Sequence, residues 1–299
     1  MKTGLKFAFI AQTTLMRKIV FLFITAFTTI GSFAQLQVGV FGGVSNYLGD
    51  ITDKLYQNPG AAVGLTVGYQ ISSRTNLRAG FTYGKIMGAD SLSSQEDLRL
   101  RNLNFQSSIT ELSLVAEFTT FDMDLKRWSP YAFGGLAVFH FNPYTYDRQG
   151  NKTFLQPLST EGQGLPSYQS KPYSLTQLAL PFGAGIKYNF TDHFRIGLEV
   201  GLRKLFTDYL DDLSTVYADP NDLIAARGQE AVDLSYRGDE LPGGDLNYPV
   251  KGMTRGSSKY KDYYYFSGIH LVYLFGSNNQ PLYQSKTGKK KYYDCPKVF

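Results

Sequence analysis

Few residues of this 299-residue chain have the types and spacing for chemistry. There are three histidines, His140, His193 and His270, and one cysteine, Cys295. Nucleophilic catalysis needs a nucleophile, a base and an orienting group within hydrogen-bond reach. Ser113, His140 and His270 fall at positions that could face a common interior, but no motif joins them. The expectation is a protein that is not an enzyme, with no catalytic residue, no cofactor and no small-molecule substrate. No His or Cys spacing matches a metal site. The stretch Asp208–Asp212 is acidic enough to suggest calcium, but it reads more simply as a solvated acidic loop. One set of ionisable residues does recur in a pattern: Arg78, Glu111, Glu117, Lys187, Arg195, Glu199 and Arg203, each set between apolar neighbours.

That pattern is clearest in HFRIGLEVGLRKLF, His193–Phe206. Phe194, Ile196, Leu198, Val200 and Leu202 alternate with Arg195, Gly197, Glu199, Gly201 and Arg203. A strand sends alternate side chains to opposite faces. One face is therefore apolar and the other carries charge and glycine. Seven further segments alternate in the same way. They centre on Leu36–Phe41, Val63–Gln70, Leu77–Gly84, Glu111–Phe118, Tyr131–Phe141, Gln177–Phe190 and Tyr263–Phe275. In the fifth, Tyr131, Phe133, Ala137, Phe139 and Phe141 form the apolar row, which leaves His140 on the inward row. Most segments run about ten residues, the 9–11 that a membrane strand needs and more than the 5–6 usual in soluble sheets.

The connections alternate in length. Tight links lie around Ser72–Arg74, Asp122–Arg127 and Thr191–Asp192, and long ones over Asn46–Pro59, Gly88–Gln106, Pro143–Tyr173 and Thr207–Lys259. Short turns on one rim and long loops on the other mark an outer-membrane barrel. The last long loop has helical character around Asp222–Arg227 and reads as irregular elsewhere. Tyr69, Tyr83, Tyr131, Phe141, Tyr188, Phe190, Phe206, Tyr263 and Phe275 lie near strand ends, as an aromatic belt requires. The expected fold is all-β: an eight-stranded antiparallel up-and-down outer-membrane barrel with long extracellular loops.

The N-terminus agrees with export. From Met16 a short basic segment precedes an apolar run that ends in small residues at Ser32 and Ala34. This is the grammar of a signal peptide cleaved before Gln35. Residues 1–34 therefore read as an upstream extension plus signal, with Met16 as the true start. Residues 35–275 read as the barrel, and residues 276–299 as a periplasmic basic tail. No other apolar run approaches the length of a spanning helix. One Cys excludes a disulfide scaffold, and an exported chain of net charge +5 does not meet nucleic acid.

An eight-stranded barrel is just wide enough inside for side chains to fill it. The seven lumen charges are of both signs and read as a paired network that closes the interior, because charges removed from water need partners. A narrow ion path is the alternative. In the tail, Lys289, Lys290 and Lys291 form a solvated basic run. Tyr292, Tyr293 and Cys295-Pro296 interrupt it and point to docking on a partner. A lone exported Cys implies an intermolecular partner or a free thiol.

Three stretches carry a resemblance: FGGVSNYLGDI (Phe41–Ile51), SKYKDYYYFSGIHLVYLF (Ser258–Phe275) and KKYYDCPKVF (Lys290–Phe299). With them the chain resembles the PorG-like outer-membrane barrel subunit of the Bacteroidetes type IX secretion and gliding machinery. The resemblance implies a structural role. The barrel would anchor to outer-membrane lipid a periplasmic ring built of a lipoprotein and its partner protein. The Tyr47–Asp50 stretch would act at the outer rim, and Cys295 would contact or crosslink the ring lipoprotein. A narrow porin or ligand-binding barrel is the alternative function.

Overall fold

The computed structural model describes Leu36–Phe275 apart from Asp53 and Tyr260. The expected signal peptide and tail lie outside the described residues. Eight long strands form one closed antiparallel barrel: β1 (Leu36–Leu48), β2 (Gly60–Gln70), β3 (Thr75–Ala89), β4 (Asn104–Thr119), β5 (Trp128–His140), β8 (Thr176–Asn189), β9 (Phe194–Leu205) and β10 (Tyr263–Leu274). Each pairs with its neighbour in this order, and β10 pairs back onto β1 from Gln37↔Leu274 to Leu48↔Tyr263. A small hairpin, β6 (Tyr144–Tyr146) and β7 (Lys152–Phe154), joins β4 through Gln106↔Tyr144. No described helix is long and apolar enough to cross a membrane.

Period-2 alternation sets the two faces. In β9, Phe194, Ile196, Leu198 and Val200 are exposed, while Arg195, Gly197, Glu199, Gly201 and Arg203 are buried. The outward row of β2 is Val63, Leu65 and Val67, and that of β4 includes Leu112, Leu114 and Phe118, all exposed. A continuous apolar surface of this extent is not left facing water in an ordinary soluble monomer. The one internal proline of a barrel strand other than Pro130, Pro181, coincides with a gap in the β5–β8 ladder between Gly134↔Phe182 and Ala137↔Ala179. Proline has no N–H to give that ladder.

Three short turns, the N-terminal end of β1 and the C-terminal end of β10 share one rim. The β2–β3 turn closes with Ile71 N donating to Thr75 O at 2.9 Å, and the β8–β9 turn with Phe190 N donating to Phe194 O at 3.2 Å. The β4–β5 turn tucks Met123 inward, where it is buried, and its carbonyl accepts from Asn189 Nδ2 at 3.4 Å.

The long connections differ from expectation. The last one contains two short helices, α2 (Pro220–Arg227) and α3 (Gln229–Ser235), while α1 (Glu96–Arg101) lies between β3 and β4. The β3–β4 hairpin also extends past Gly88 and Gln106, to Ala89↔Asn104. Together the connections form a cap with its own apolar interior, including Leu103, Leu158, Leu210, Leu213, Leu223 and Leu234. That interior is continuous with the upper lumen through Ile86, Phe105, Ile109 and Phe139.

Candidate functional site

The lumen is the first candidate site. Arg78 on β3 reaches Glu117 (Nε–Oε1, 3.0 Å) and Glu199 (Nη2–Oε2, 2.8 Å). Lys187 on β8 pairs with Glu117, and Asn76 Nδ2 donates to the same carboxylate at 2.8 Å. Tyr131 Oη donates to Glu199 Oε2 at 2.6 Å. Nearer the cap, Arg203 holds Glu111 with two parallel bonds, and Tyr264 Oη adds a third at 2.8 Å. Arg195 stands apart from the carboxylates: its Nε donates to Asn189 Oδ1 at 2.7 Å and its Nη1 to Gln37 Oε1 at 3.5 Å. The seven sequence-predicted residues thus all face the lumen, and six of them form carboxylate–cation pairs.

Two lumen features go beyond the sequence reading, which let His270 face inward but left it out of the charge network. His270 is a member of the network, with Nε2 at 3.5 Å from Glu199 Oε1 and 3.3 Å from Arg78 Nη1. The second is a column of rings. Tyr209 stacks on Tyr173 (4.8 Å), Tyr173 on Phe141 (6.0 Å), and Phe141 on Phe139 (5.5 Å). The column continues through Tyr264 and Phe266, over which the Arg203 guanidinium lies at 4.4 Å.

The fifth strand corrects the sequence reading. Tyr131, Phe133, Phe139 and Phe141 point inward, and His140 points outward, bonded to Thr176 Oγ1 at 3.0 Å. Tyr131 and Phe141 therefore do not belong to the outer aromatic belt. The physical reason is space. A Cβ on Gly185 would lie 2.6 Å from the Tyr131 ring, and one on Gly183 or Gly201 would lie 2.7 Å from Phe133. Inward glycines on β8 and β9 make room for inward aromatics on β5, and that complementarity was the available signal. With His140 outside and His270 inside, the two histidines cannot serve one catalytic centre with Ser113.

The cap is the second candidate. The acidic stretch expected to be solvated is buried at Asp208, Asp211 and Asp212. Thr160 Oγ1 and Tyr173 Oη donate to Asp212 at 2.5 and 2.7 Å. Burial pushes the carboxyls of Asp208 and Asp212 up to about 6, against the pull of Ser214 on the first and Arg255 on the second. Among the described residues no group of three or more His, Cys, Asp or Glu has the geometry to hold a metal ion.

Two arginines tie the cap together. Arg255 donates to Glu161 Oε1 (3.1 Å), the Asp212 carbonyl (2.7 Å) and the Ser235 carbonyl (3.1 Å). Glu161 also accepts from the Ser214 and Thr215 amides at 3.0 Å each. Arg101 grips Asp90 with two bonds and reaches the carbonyls of Asp50 and Arg255. All four long connections are thereby crosslinked by buried charge-assisted bonds.

Fold and site together define a closed eight-stranded barrel, apolar outside, filled inside and capped at one end. Within that class the chain belongs to the family described as a domain of unknown function (DUF6089), whose model matches residues 15–223. No curated protein matches it. Among solved structures it is similar to the Neisserial surface protein A, at 10% identity over 80% of this chain and 97% of that one, with a TM-score of 0.39. The outer membrane protein OprG of Pseudomonas aeruginosa aligns at 10% identity over 80% and 96%, TM-score 0.38. A major outer membrane protein of Thermus thermophilus aligns at 10% over 80% and 98%, TM-score 0.38. At these values the likeness is one of barrel architecture alone.

Proposed function

We propose that the chain is a non-enzymatic outer-membrane barrel that anchors a periplasmic ring of a type IX protein secretion system through its C-terminal tail. The observation that carries this reading is the filled lumen. Paired charges, a column of rings and the buried Met123 occupy much of the lumen, and an apolar exterior suits the protein to lipid. A barrel built this way is suited to holding something rather than to passing or converting it. The tail that would do so, with Lys289, Lys290, Lys291, Tyr292, Tyr293 and Cys295, follows Phe275 at the short-turn rim, the side expected to be periplasmic. The ring lipoprotein and its partner as binding partners rest on the resemblance of Phe41–Ile51, Ser258–Phe275 and Lys290–Phe299.

The test is a crosslinked pull-down from outer membranes with the full chain and with one ending at Phe275, run on non-reducing gels. Ring proteins recovered with the full chain and lost on truncation are the expected result. Equal recovery from both chains refutes a tail-borne anchor. A second reading, a barrel that binds a ligand on its capped side, draws on the cleft between α1 and residues 245–257. Tyr217, Tyr236 and Tyr248 line it edge to face, beside Leu100 and Met253. Retention of a ligand by the truncated chain would favour that reading.

A further inference from the structure

Where β1 meets the cap, one phenol stands between two carboxylates. Tyr47 Oη lies 2.5 Å from Asp211 Oδ2 and 3.1 Å from Asp262 Oδ1, and all three residues are buried. The other oxygen of each carboxylate is taken. Leu213 N donates to Asp211 Oδ1 at 3.0 Å, and Leu210 N to Asp262 Oδ2 at 2.8 Å. A phenol has one proton to give. The shorter contact takes it, as expected for an O–H···O⁻ bond. That leaves two oxygens 3.1 Å apart, Tyr47 Oη and Asp262 Oδ1, which need a proton between them. No Lys or Arg pairs with Asp211 or Asp262 among the ion pairs of the described residues, and no metal geometry exists there.

We propose that Asp262, Tyr47 and Asp211 form a proton-binding latch, in which a protonated Asp262 donates to Tyr47 and Tyr47 donates to an ionised Asp211, fastening the last loop to the rim of the first strand. Loss of that proton leaves Asp262 and Asp211 both charged and buried about a single hydroxyl. The latch therefore holds at low pH and loosens as pH rises.

The surroundings act in the same direction. Burial, then Asp262 and Asp50, hold the Asp211 carboxyl well above the usual range, while its bonds from Tyr47 and the Leu213 amide favour it as the ionised member of the pair. Burial, then Asp208 and Asp50, do the same for Asp262, against the Leu210 amide and Tyr47. Asp50, at the end of β1, accepts from Ser257 N at 2.6 Å. Of the cations near this corner, Arg101 on α1 is gripped by Asp90 and its charge also reaches Asp211, favouring the ionised form there, and Lys261 acts on Asp208. The sign follows. A carboxyl whose pKa is raised when closed binds its proton more tightly closed than open. Closure is then fully favoured below about pH 4, where the open form is protonated too, and is lost as pH climbs toward the raised pKa.

The experiment uses the full chain in lipid. Backbone exchange at Leu210 and Leu213, corrected for base catalysis, is followed from about pH 5 to 8 in the parent and in Asp262→Asn. The asparagine can accept from Leu210 N and donate to Tyr47, making the same latch without a titrating proton. Protection in the parent should fall by up to about tenfold per pH unit relative to the variant. Equal slopes in the two overturn the proposal. Independently, at about pH 7.5, where Asp208 and Asp212 are ionised, the infrared C=O band of a protonated, buried carboxylic acid should be present in the parent and absent from both Asp262→Asn and Asp211→Asn. Its absence from the parent, or its survival in both variants, also overturns it.

Discussion

Arg203 and Glu111 meet across the barrel interior on strands that share no ladder, Nε to Oε2 at 2.9 Å and Nη2 to Oε1 at 3.0 Å. A two-bond fork fixes the plane of both groups, and Arg is the cation whose shape allows it. The pair joins β4 to β9 beside the rings of Tyr264 and Phe266.

Removing one member should hurt more than removing both. Glu111→Leu or Arg203→Met each leaves a buried charge without its partner, at a cost of about 3–5 kcal/mol. The double variant should recover most of that. The remainder should be about 1 kcal/mol for Tyr264, which loses its acceptor. Urea unfolding from lipid bilayers, read as a double-mutant cycle, measures all three.

The filled lumen should not carry current. Planar bilayers containing the full chain are expected to show no discrete conductance steps. Regular single-channel steps would mean that the Arg78–Glu117–Lys187 cluster opens, and would favour the porin reading over an anchor.

Asp208, whose charge also acts on Asp262, adds a second pH-sensitive group to the cap. Burial pushes its carboxyl up to about 6, with Ser214 Oγ its hydrogen-bond donor at 2.9 Å. The raised value means that folding takes up a proton here. The contribution is complete below about pH 4 and fades by about pH 6. Asp208→Asn should flatten the pH dependence of cap proteolysis between those limits. An unchanged slope would mean that Asp208 titrates like an exposed carboxylate.

Trp128 is the single tryptophan of the chain. It is exposed on the outer surface at the start of β5, edge-on to Phe121 at 5.2 Å, near the short-turn rim. In bilayers its fluorescence should be quenched more by lipids brominated near the headgroup than by lipids brominated at mid-chain. No quenching by either would remove the barrel from lipid.

The barrel was readable where the two faces of a strand differ. At Phe194–Arg203 large apolar residues alternate with charged residues or glycine, so both the strand and its inward row follow from period 2. β5 defeated the same rule because both of its rows are apolar: Tyr131, Phe133 and Phe139 on one, Ala132, Leu136 and Val138 on the other. Only the glycines beside them decide between the rows, Gly183 and Gly185 on the paired strand β8 and Gly201 on β9, and that pairing is spatial. The cap was unreadable for a related reason. Arg255 and Glu161 are 94 residues apart, and Arg101 and the Arg255 carbonyl 154. A buried arginine looks like a surface arginine until its acceptors are placed around it.

The seam between β1 and β10 also has a consequence in time. Its twelve residue pairs join segments more than two hundred positions apart, whereas β3 and β4 are neighbours in sequence. Local hairpins can form early, but β1 keeps a bare edge until the whole chain has been made. Assembly therefore ends with its slowest encounter, between the oldest strand and the youngest. Damage within Tyr263–Leu274 should be felt as chains that never finish, caught by proteases or aggregated, rather than as finished barrels that are slightly weaker.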